Sequence, residues 1–387
     1  MFRPRRGFCQ NCARLILSAV LYGSWILGLF PFIFNSRKKQ MSLSRWLRIY
    51  GLVLNFLLIF ILMYISYEAK KTSKLDAFER NPLLEDINML IGVMSVLIAI
   101  VVHLMNFLGS NQVLWILNEL LCLEYRHFGG MNLRNCPKLN NFVIQKSVTI
   151  TAAMVTLLAV HYGMPGNVTT LMMLLLMCLT QMGLNLNVMH CYLGVLFIYR
   201  YVWLINGQLW DLAHRLSEDS STDFRSSRIR ELLSLYRRLL ELNGKLQSAF
   251  ELQMSLIILS GLAGNIVVVF FLIVFEISMH KSSIFVALFL QSLLLNIWDF
   301  WLGIAVCDLT ERTGRETSTI LKLFCDLENL NEDLEKSINE FSWLCSHAKF
   351  RFQLYGLFSI NYNMGFQMTI TSFLYLLYLV QFDFMNL

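Results

Sequence analysis

Long hydrophobic stretches separated by short polar segments make up most of this 387-residue chain. Seven of them are long enough to cross a bilayer as helices, because a span needs about 20 mostly apolar residues. These stretches are residues 48–67, 87–108, 142–163, 171–203, 250–277, 283–307 and 358–382. The pattern therefore predicts an all-α polytopic membrane protein with seven transmembrane helices.

A further apolar stretch, residues 15–34, lies near the N-terminus and has basic residues on both sides. Basic clusters favour the cytoplasm, so both of its ends are predicted there. We interpret it as a re-entrant helix that dips into the membrane and is broken near Pro31. A full first span would instead give eight spans, and a signal peptide is disfavoured because no small-residue cleavage site follows.

Two polar segments repeat apolar residues at helical spacing, residues 228–253 and 317–341. We expect them to pack together as a cytoplasmic anchor; the alternative is that each only caps its neighbouring span. From the N-terminus, the pattern predicts residues 1–47 as cytoplasmic with the re-entrant helix, 48–203 as spans 1–4 and 204–249 as a cytoplasmic helix. It predicts residues 250–307 as spans 5 and 6, 308–357 as the cytoplasmic anchor, and 358–387 as span 7 with an extracellular C-terminus.

Charge sets the orientation. The chain is 56% hydrophobic and only 15% charged, whereas soluble domains carry about 25% charge. The predicted cytoplasmic segments hold 25 Lys and Arg residues and the predicted outer segments hold 5, which places the N-terminus inside. The net charge of +6 reflects this border of basic residues and does not indicate nucleic-acid binding.

Glycosylation and thiol chemistry agree with this topology. The one N-x-S/T sequon begins at Asn167, in a loop that is predicted outside. The nine cysteines lie in predicted cytoplasmic or membrane segments, so we expect no extracellular disulfide. Cys9 and Cys12 have no second pair to complete a metal site, and they are read as ordinary thiols.

The last span carries an uncharged polar seam. Gln367, Thr371, Leu374, Tyr378 and Gln381 recur with a period of 3.5 residues and share one helix face. Amides and hydroxyls in lipid need a partner helix or water. From spacing alone, the seam either packs against sister helices or lines a narrow water-filled pore.

Candidate ligand-binding residues come from the other spans. Asp299, beside Trp298 and Trp301, could meet a cationic ligand, or it could form a structural bond to a neighbouring span. His161 and Tyr162 end span 3 at the outer surface, where they could line a pocket or anchor the helix. No catalytic, nucleotide-binding or metal motif is present, so we expect no enzyme activity, metal or cofactor.

The end of the last span resembles the signature of the insect gustatory receptor family, Thr-Tyr, five hydrophobic residues and Gln-Phe. Tyr375, Gln381 and Phe382 match it, and Leu374 stands where the family usually has Thr. Four longer stretches resemble the gustatory receptor 22 group of fruit flies: residues 21–32, 197–209, 308–330 and 358–383.

The resemblance implies a fold and a function. It implies seven spans, a cytoplasmic N-terminus and a tetrameric, ligand-gated, non-selective cation channel related to the insect odorant receptors, in the plasma membrane of taste neurons. The last helix would line the pore with Thr371, Leu374, Tyr378 and Gln381, and pass monovalent and divalent cations. Expected partners are the lipid bilayer, other gustatory receptor subunits and small-molecule tastants, bitter ones in this group. The pocket would lie in the outer half of the preceding spans, with candidates His161, Tyr162, Asn265, Trp298 and Asp299.

The main rival is a seven-span chemoreceptor that signals through G proteins. Against it, span 3 does not end in Asp/Glu-Arg-Tyr, span 7 lacks Asn-Pro-x-x-Tyr, and the charge bias places the N-terminus inside. A secondary transporter is disfavoured because no internal repeat is visible.

Topology is directly testable. On unpermeabilised cells, we expect antibody to label a C-terminal epitope tag and not an N-terminal one, because of the charge bias. Glycosidase should shift the mobility of the wild type and not that of Asn167→Gln. An N-terminal tag that is accessible from outside would contradict the topology.

Overall fold

The computed structural model describes residues 6–72, 82–128, 136–163, 171–218, 223–279, 283–324, 332–356 and 358–386. The helices in these ranges are α1 (Arg6–Ile26), α2 (Arg45–Thr72), α3 (Pro82–Leu108), α4 (Ser110–Arg126), α5 (Pro137–Gly163), α6 (Leu171–Glu218), α7 (Asp223–Met279), α8 (Ser283–Lys322), α9 (Glu332–His347) and α10 (Tyr362–Asn386). Two short antiparallel hairpins complete the described fold: β1 (Phe32–Asn35) with β2 (Gln40–Leu43), and β3 (Gln353–Leu354) with β4 (Phe358–Ser359).

Six of the described helices, α2, α3, α5, α6, α7 and α8, are long and apolar enough to cross a membrane. The final helix, α10, has 25 residues and is about 37 Å long, and it is not among these six. The structure confirms a nearly all-helical, multi-span architecture. The seven-span count remains a prediction, which rests on α10 as the seventh.

Three of the helices are longer than any bilayer requires. Helix α6 has 48 residues, α7 has 57 and α8 has 40. The sequence pattern placed a boundary between span and soluble helix near residues 203, 250 and 307, yet the backbone continues through each boundary without a break. Each of these helices therefore connects the membrane-crossing part of the chain directly to the rest.

The N-terminal segment breaks earlier than its proline suggests. Helix α1 ends at Ile26, and Gly28 takes the left-handed backbone angle φ +66°. The chain passes so close to α2 that a Cβ atom at Gly28 would lie 2.2 Å from the Cα atom of Gly51. Glycine is required on both sides of this crossing. Pro31 lies beyond the break, immediately before β1, and its carbonyl oxygen accepts the backbone N–H of Ser44 at 3.0 Å.

The main hydrophobic core lies where the extensions of α6, α7 and α8 meet α4 and α9. We call this assembly the anchor bundle; its fully buried side chains include Val202, Leu232, Tyr236, Phe324 and Phe341. The rings of Phe341 and Phe350 pack edge-on against Tyr236, with centroids 5.2 Å away in both cases. The described parts of the two helical patterns, residues 228–253, 317–324 and 332–341, thus lie in one packed unit.

Buried polar bonds fix the helices of the anchor bundle relative to one another. The Arg200 guanidinium, 2% exposed, donates to both carboxylate oxygens of Glu124 at 2.6 and 3.2 Å. Buried Asn206 on α6 donates to the backbone oxygen of Thr313 at 2.8 Å and accepts the Thr317 hydroxyl at 2.6 Å. Such two-sided bonds specify the helix register, because a shift of one turn would leave several buried groups unpaired.

We expect Asn206→Ala to destabilise the anchor bundle by about 2 kcal/mol, because it leaves the Thr313 carbonyl without its amide donor. The measurement is the thermal unfolding midpoint of the purified protein. Asp211→Ala, on the exposed side of the same helix, is the control and should leave the midpoint unchanged. Equal midpoints for the two variants would contradict this assignment.

Candidate functional site: a central cavity and the last helix

A cavity of about 710 Å³ lies among helices α3, α5, α6, α7, α8 and α10. Its walls are mainly aliphatic and aromatic, as in most small-molecule sites, which commonly measure 300–1,000 Å³. Polar side chains are interspersed: Thr149, Gln181, Asn185, Tyr192, Ser260, Asn265, Ser292 and Asn296 all line it. Such a cavity suits a largely apolar molecule that carries a few hydrogen-bonding groups.

An ion pair lines the cavity wall between α5 and α8. The Lys146 ammonium donates to both carboxylate oxygens of Asp299 at 2.7 Å each. Lys146 is 2% exposed and Asp299 is 35% exposed, and both residues line the cavity. The Tyr192 ring centroid lies 5.3 Å from the ammonium and adds a cation–π contact.

This pair decides between the two interpretations of Asp299 that the sequence left open. The structural bond to a neighbouring span is present, since α5 and α8 are joined through Lys146. Asp299 still lines the cavity, so contact with a ligand remains compatible with the geometry. Its negative charge, however, is already balanced within the protein.

Of the other residues predicted to contact a ligand, one lines the cavity, one does not, and two have side chains outside the described set. Asn265 lines the cavity, and its Oδ1 atom is buried with no hydrogen-bond partner among the described residues. Trp298 is 56% exposed and points away from the cavity, whereas Trp301 lines it. His161 and Tyr162 fall in the last turn of α5, but their side chains lie outside the described set, as does Asn167.

Lys146, Tyr192 and Glu251 are among the cavity residues that the sequence did not predict as ligand contacts. Lys146 did carry a signal, because a single cation inside an apolar helix requires a buried partner. The intramembrane Asp299 was the obvious complement. Glu251 lies near the boundary of a predicted span, where a charge is ordinary, and gave no comparable signal.

The polar seam of the last helix is on the open side of the subunit. Gln367, Thr371, Leu374, Tyr378 and Gln381 are all exposed, with Tyr378 at 69%. The opposite face of α10 packs inside the subunit, where Leu376 joins a cluster with Phe270, Phe271 and Phe289. Family-motif residue Tyr375 is also exposed, and the side chain of Phe382 lies outside the described set.

The cavity and the last helix share a wall. Thr369, Ser372, Phe373 and Leu376 of α10 all line the cavity. At the start of α10, Tyr362 stacks on Trp301 with ring centroids 5.7 Å apart. Just beyond it, a Cβ atom at Gly365 would lie 2.6 Å from Cδ1 of Ile304, so α8 and α10 approach as closely as glycine permits.

A second connection runs through the β3–β4 hairpin, which leads directly into α10. Two cavity-lining side chains of α7 hold it: Gln247 donates to the backbone oxygen of Gln353, and Glu251 accepts the backbone N–H of Tyr355. Both contacts hold the chain just ahead of α10. The cavity wall thus includes one face of the last helix, and residues of the same wall hold the segment that leads into that helix.

Among the described residues, no group of three His, Cys, Asp or Glu side chains could hold a metal ion. The polar groups of the cavity and of the seam are hydrogen-bonding side chains on a packed helical scaffold. They form a binding cavity beside an exposed polar helix.

Comparison with known proteins identifies the family. Residues 17–386 match the family described as 7tm chemosensory receptor. The chain belongs to the 7tm chemosensory receptor family.

Full-length relatives narrow this to gustatory receptors. The chain is 56% identical to gustatory receptor 22b of Drosophila melanogaster, with 100% of both chains covered. It is 40% identical to the gustatory receptor for bitter taste 22e of the same organism, again over 100% of both. The family resemblance read from the sequence is therefore confirmed. Because this is a family of chemoreceptors, the expectation of a non-enzymatic protein is confirmed as well.

Solved structures share the fold of this chemosensory receptor. The insect olfactory receptor OR5 from Machilis hrabei matches with a TM-score of 0.65 and 12% identity, covering 95% of this chain and 98% of that one. The same receptor in complex with eugenol matches with a TM-score of 0.67 and 10% identity, covering 97% and 99%. This chain is thus a multi-pass membrane protein with an insect chemoreceptor fold.

Removing one or both charges of the Lys146–Asp299 pair should change the stability of the receptor in different ways. We expect Lys146→Met to destabilise the receptor by about 3–5 kcal/mol, because it leaves Asp299 as an unpaired, partly buried carboxylate. The double variant Lys146→Met with Asp299→Leu removes both charges and should recover most of that loss. The measurement is the thermal unfolding midpoint of each purified variant, compared with that of the wild type. A double variant less stable than the single one would contradict this reading of the pair.

Proposed function

We propose that this chain is a subunit of a ligand-gated, non-selective cation channel that is opened by tastants, bitter compounds in particular. We place it in the plasma membrane of gustatory receptor neurons, with a cytoplasmic N-terminus and anchor bundle and an extracellular C-terminus. The observation that carries the proposal is the shared wall: a ligand-sized cavity and an exposed, uncharged polar seam lie on the two sides of one helix.

The cavity supports the ligand part of the proposal. Its volume of about 710 Å³ and its mostly apolar lining suit a small organic molecule. A relative of 40% identity is named for bitter taste, and a receptor of the same fold has been solved in complex with eugenol. Tastants of similar size are therefore the proposed ligands, with Asn265 and Asp299 in the cavity and the outer residues His161 and Tyr162 as candidate contacts; Trp298 does not line the cavity.

The seam supports the channel part. A single helix cannot enclose a path, so the proposal requires several copies around one axis, a homotetramer or a heterotetramer with other gustatory receptor subunits. Gln381 amides would replace part of a cation's hydration shell without holding it tightly, which suits low discrimination among monovalent and divalent cations. Rings of Tyr378 and Leu374 are bulky and largely apolar, and would close the path by dewetting.

Gating follows from the contacts of α10. A ligand opens the channel only if it binds the open state better than the closed one. Side chains of α10 line the cavity, and Trp301 and Ile304 pack against its start. A ligand that reshapes the cavity therefore shifts the helix that carries the seam, and small outward movements of several such helices would open the constriction.

Expression in a cell without taste receptors tests the proposal. Cells that express this chain, alone or with other gustatory receptor subunits, should show an inward cation current when a bitter panel is applied. The current should persist when G-protein signalling is blocked. Responses that disappear under that block would instead support a receptor coupled to G proteins.

Two seam variants test the pore. Gln381→Glu should change the relative permeability to mono- and divalent cations, and Tyr378→Ala should raise the current without ligand, because it widens the constriction. Leu377→Ala, exposed on another face of α10, is the control and should leave both quantities unchanged. If neither variant changes the relative permeability or the resting current, the proposal that the seam lines the pore is contradicted.

Thiol labelling tests the rotation of the helix. Cysteines at positions 378 and 381 should react with a pore-entering reagent, and cysteines at 376 and 379 should not, because Leu376 packs inside the subunit and Leu379 is half-buried. Among native thiols, Cys345 lies in the anchor bundle, where burial raises its pKa to about 11 and keeps it unreactive. The reverse labelling pattern would show that another face of α10 lines the path.

A further inference from the structure

Three charged side chains line the cavity within the described part of the chain: Lys146, Asp299 and Glu251. The first two neutralise each other through bonds of 2.7 Å. Glu251 lies within 4 Å of no Lys, Arg or His side chain among the described residues; its carboxylate accepts the backbone N–H of Tyr355. Among the described residues, the cavity therefore has one carboxylate, that of Glu251, without a basic partner within 4 Å.

Glu251 is half-buried and lies at an exposed edge of the cavity, where a carboxylate without a neighbouring cation attracts positively charged groups. The hydrogen bond from Tyr355 stabilises one oxygen of Glu251, and the second oxygen is left for another donor. Aromatic side chains line the same cavity, including Phe250, Trp301 and Phe352. A carboxylate together with aromatic faces is the usual combination for binding an organic ammonium group.

We propose that Glu251 anchors ligands that carry a protonated amine or a quaternary ammonium group. This rests on the proposed function, in which the cavity is the tastant site. The remainder of the ligand lies against the apolar walls, and the ammonium contacts the second oxygen of Glu251. Asp299 does not take this role, because a ligand cation there must compete with Lys146 for both oxygens.

The position of Glu251 also links recognition to the last helix. Its carboxylate holds the β3–β4 hairpin through Tyr355, and the hairpin leads into α10. An ammonium bound at Glu251 therefore lies next to the segment that begins the seam-bearing helix. Amine ligands act directly on that segment, whereas neutral ligands reach α10 through the apolar wall.

The test uses a probe pair of equal shape and different charge, benzyltrimethylammonium and its carbon analogue neopentylbenzene. Binding is measured with the purified full-length receptor in lipid nanodiscs, as a concentration-dependent shift of the unfolding midpoint. Protein-free nanodiscs correct for partition into lipid. We expect the wild type to prefer the cation, and Glu251→Gln to weaken cation binding about tenfold with no change for neopentylbenzene.

Three controls separate charge from structure. Glu251→Gln keeps an acceptor for Tyr355, so folding should be preserved, and Glu251→Asp should retain cation binding. Glu241→Gln alters a carboxylate of the same helix that is paired with Lys245 at 2.9 Å and does not line the cavity; its binding should match the wild type. The proposal is overturned if the wild type does not bind the cation, if it binds both probes equally, or if Glu251→Gln weakens both alike or neither.

Binding and current together distinguish this inference from the proposed function. If cation binding depends on Glu251 but the receptor passes no tastant-evoked current, the proposed channel function is contradicted and the ammonium site at Glu251 is supported. If tastants evoke currents but Glu251→Gln leaves the affinity for the cation unchanged, only the ammonium site at Glu251 is contradicted.

Discussion

The bond between Lys146 and Asp299 is the interaction on which the cavity depends. Each of these two charges alone would carry a desolvation cost of several kcal/mol within a helical membrane protein, and the pairing offsets that cost. The pair joins α5 to α8 across 153 residues of sequence and forms part of the cavity wall. Its cancellation of charge is also what makes Glu251 the side chain that sets the cavity's net charge.

The three longest helices connect the cavity directly to the anchor bundle. Helices α6, α7 and α8 run unbroken from the cavity into the anchor bundle, where buried bonds such as that of Asn206 fix their register. Helix α10 has no such extension; it follows a short hairpin and packs on α8 through Gly365. The continuous helices therefore form a packed frame, and the helix that carries the polar seam lies on the open side of that frame.

Much of the fold could be read from the sequence, because the relevant signals are local. The apolar stretches predicted the membrane helices, and the seam period predicted one shared face, on which Gln367, Thr371, Leu374, Tyr378 and Gln381 are all exposed. The Tyr375, Gln381 and Phe382 motif indicated the family. Pro31 indicated a break in this part of the N-terminal segment, but not the close crossing of Gly28 and Gly51, which depends on two segments that are apart in sequence.

The hydrophobic pattern and the charge bias thus determined by themselves which segments are helical, which orientation to expect and which face of α10 is polar, since these depend on neighbours along one helix. The tertiary structure alone decided which polar side chains meet. Trp301 lines the cavity, whereas Trp298 is exposed elsewhere. Asp299 pairs with Lys146, and Glu251 lines the cavity. Such pairings depend on how helices from distant parts of the chain rotate against one another, and no periodicity within a single helix encodes that rotation.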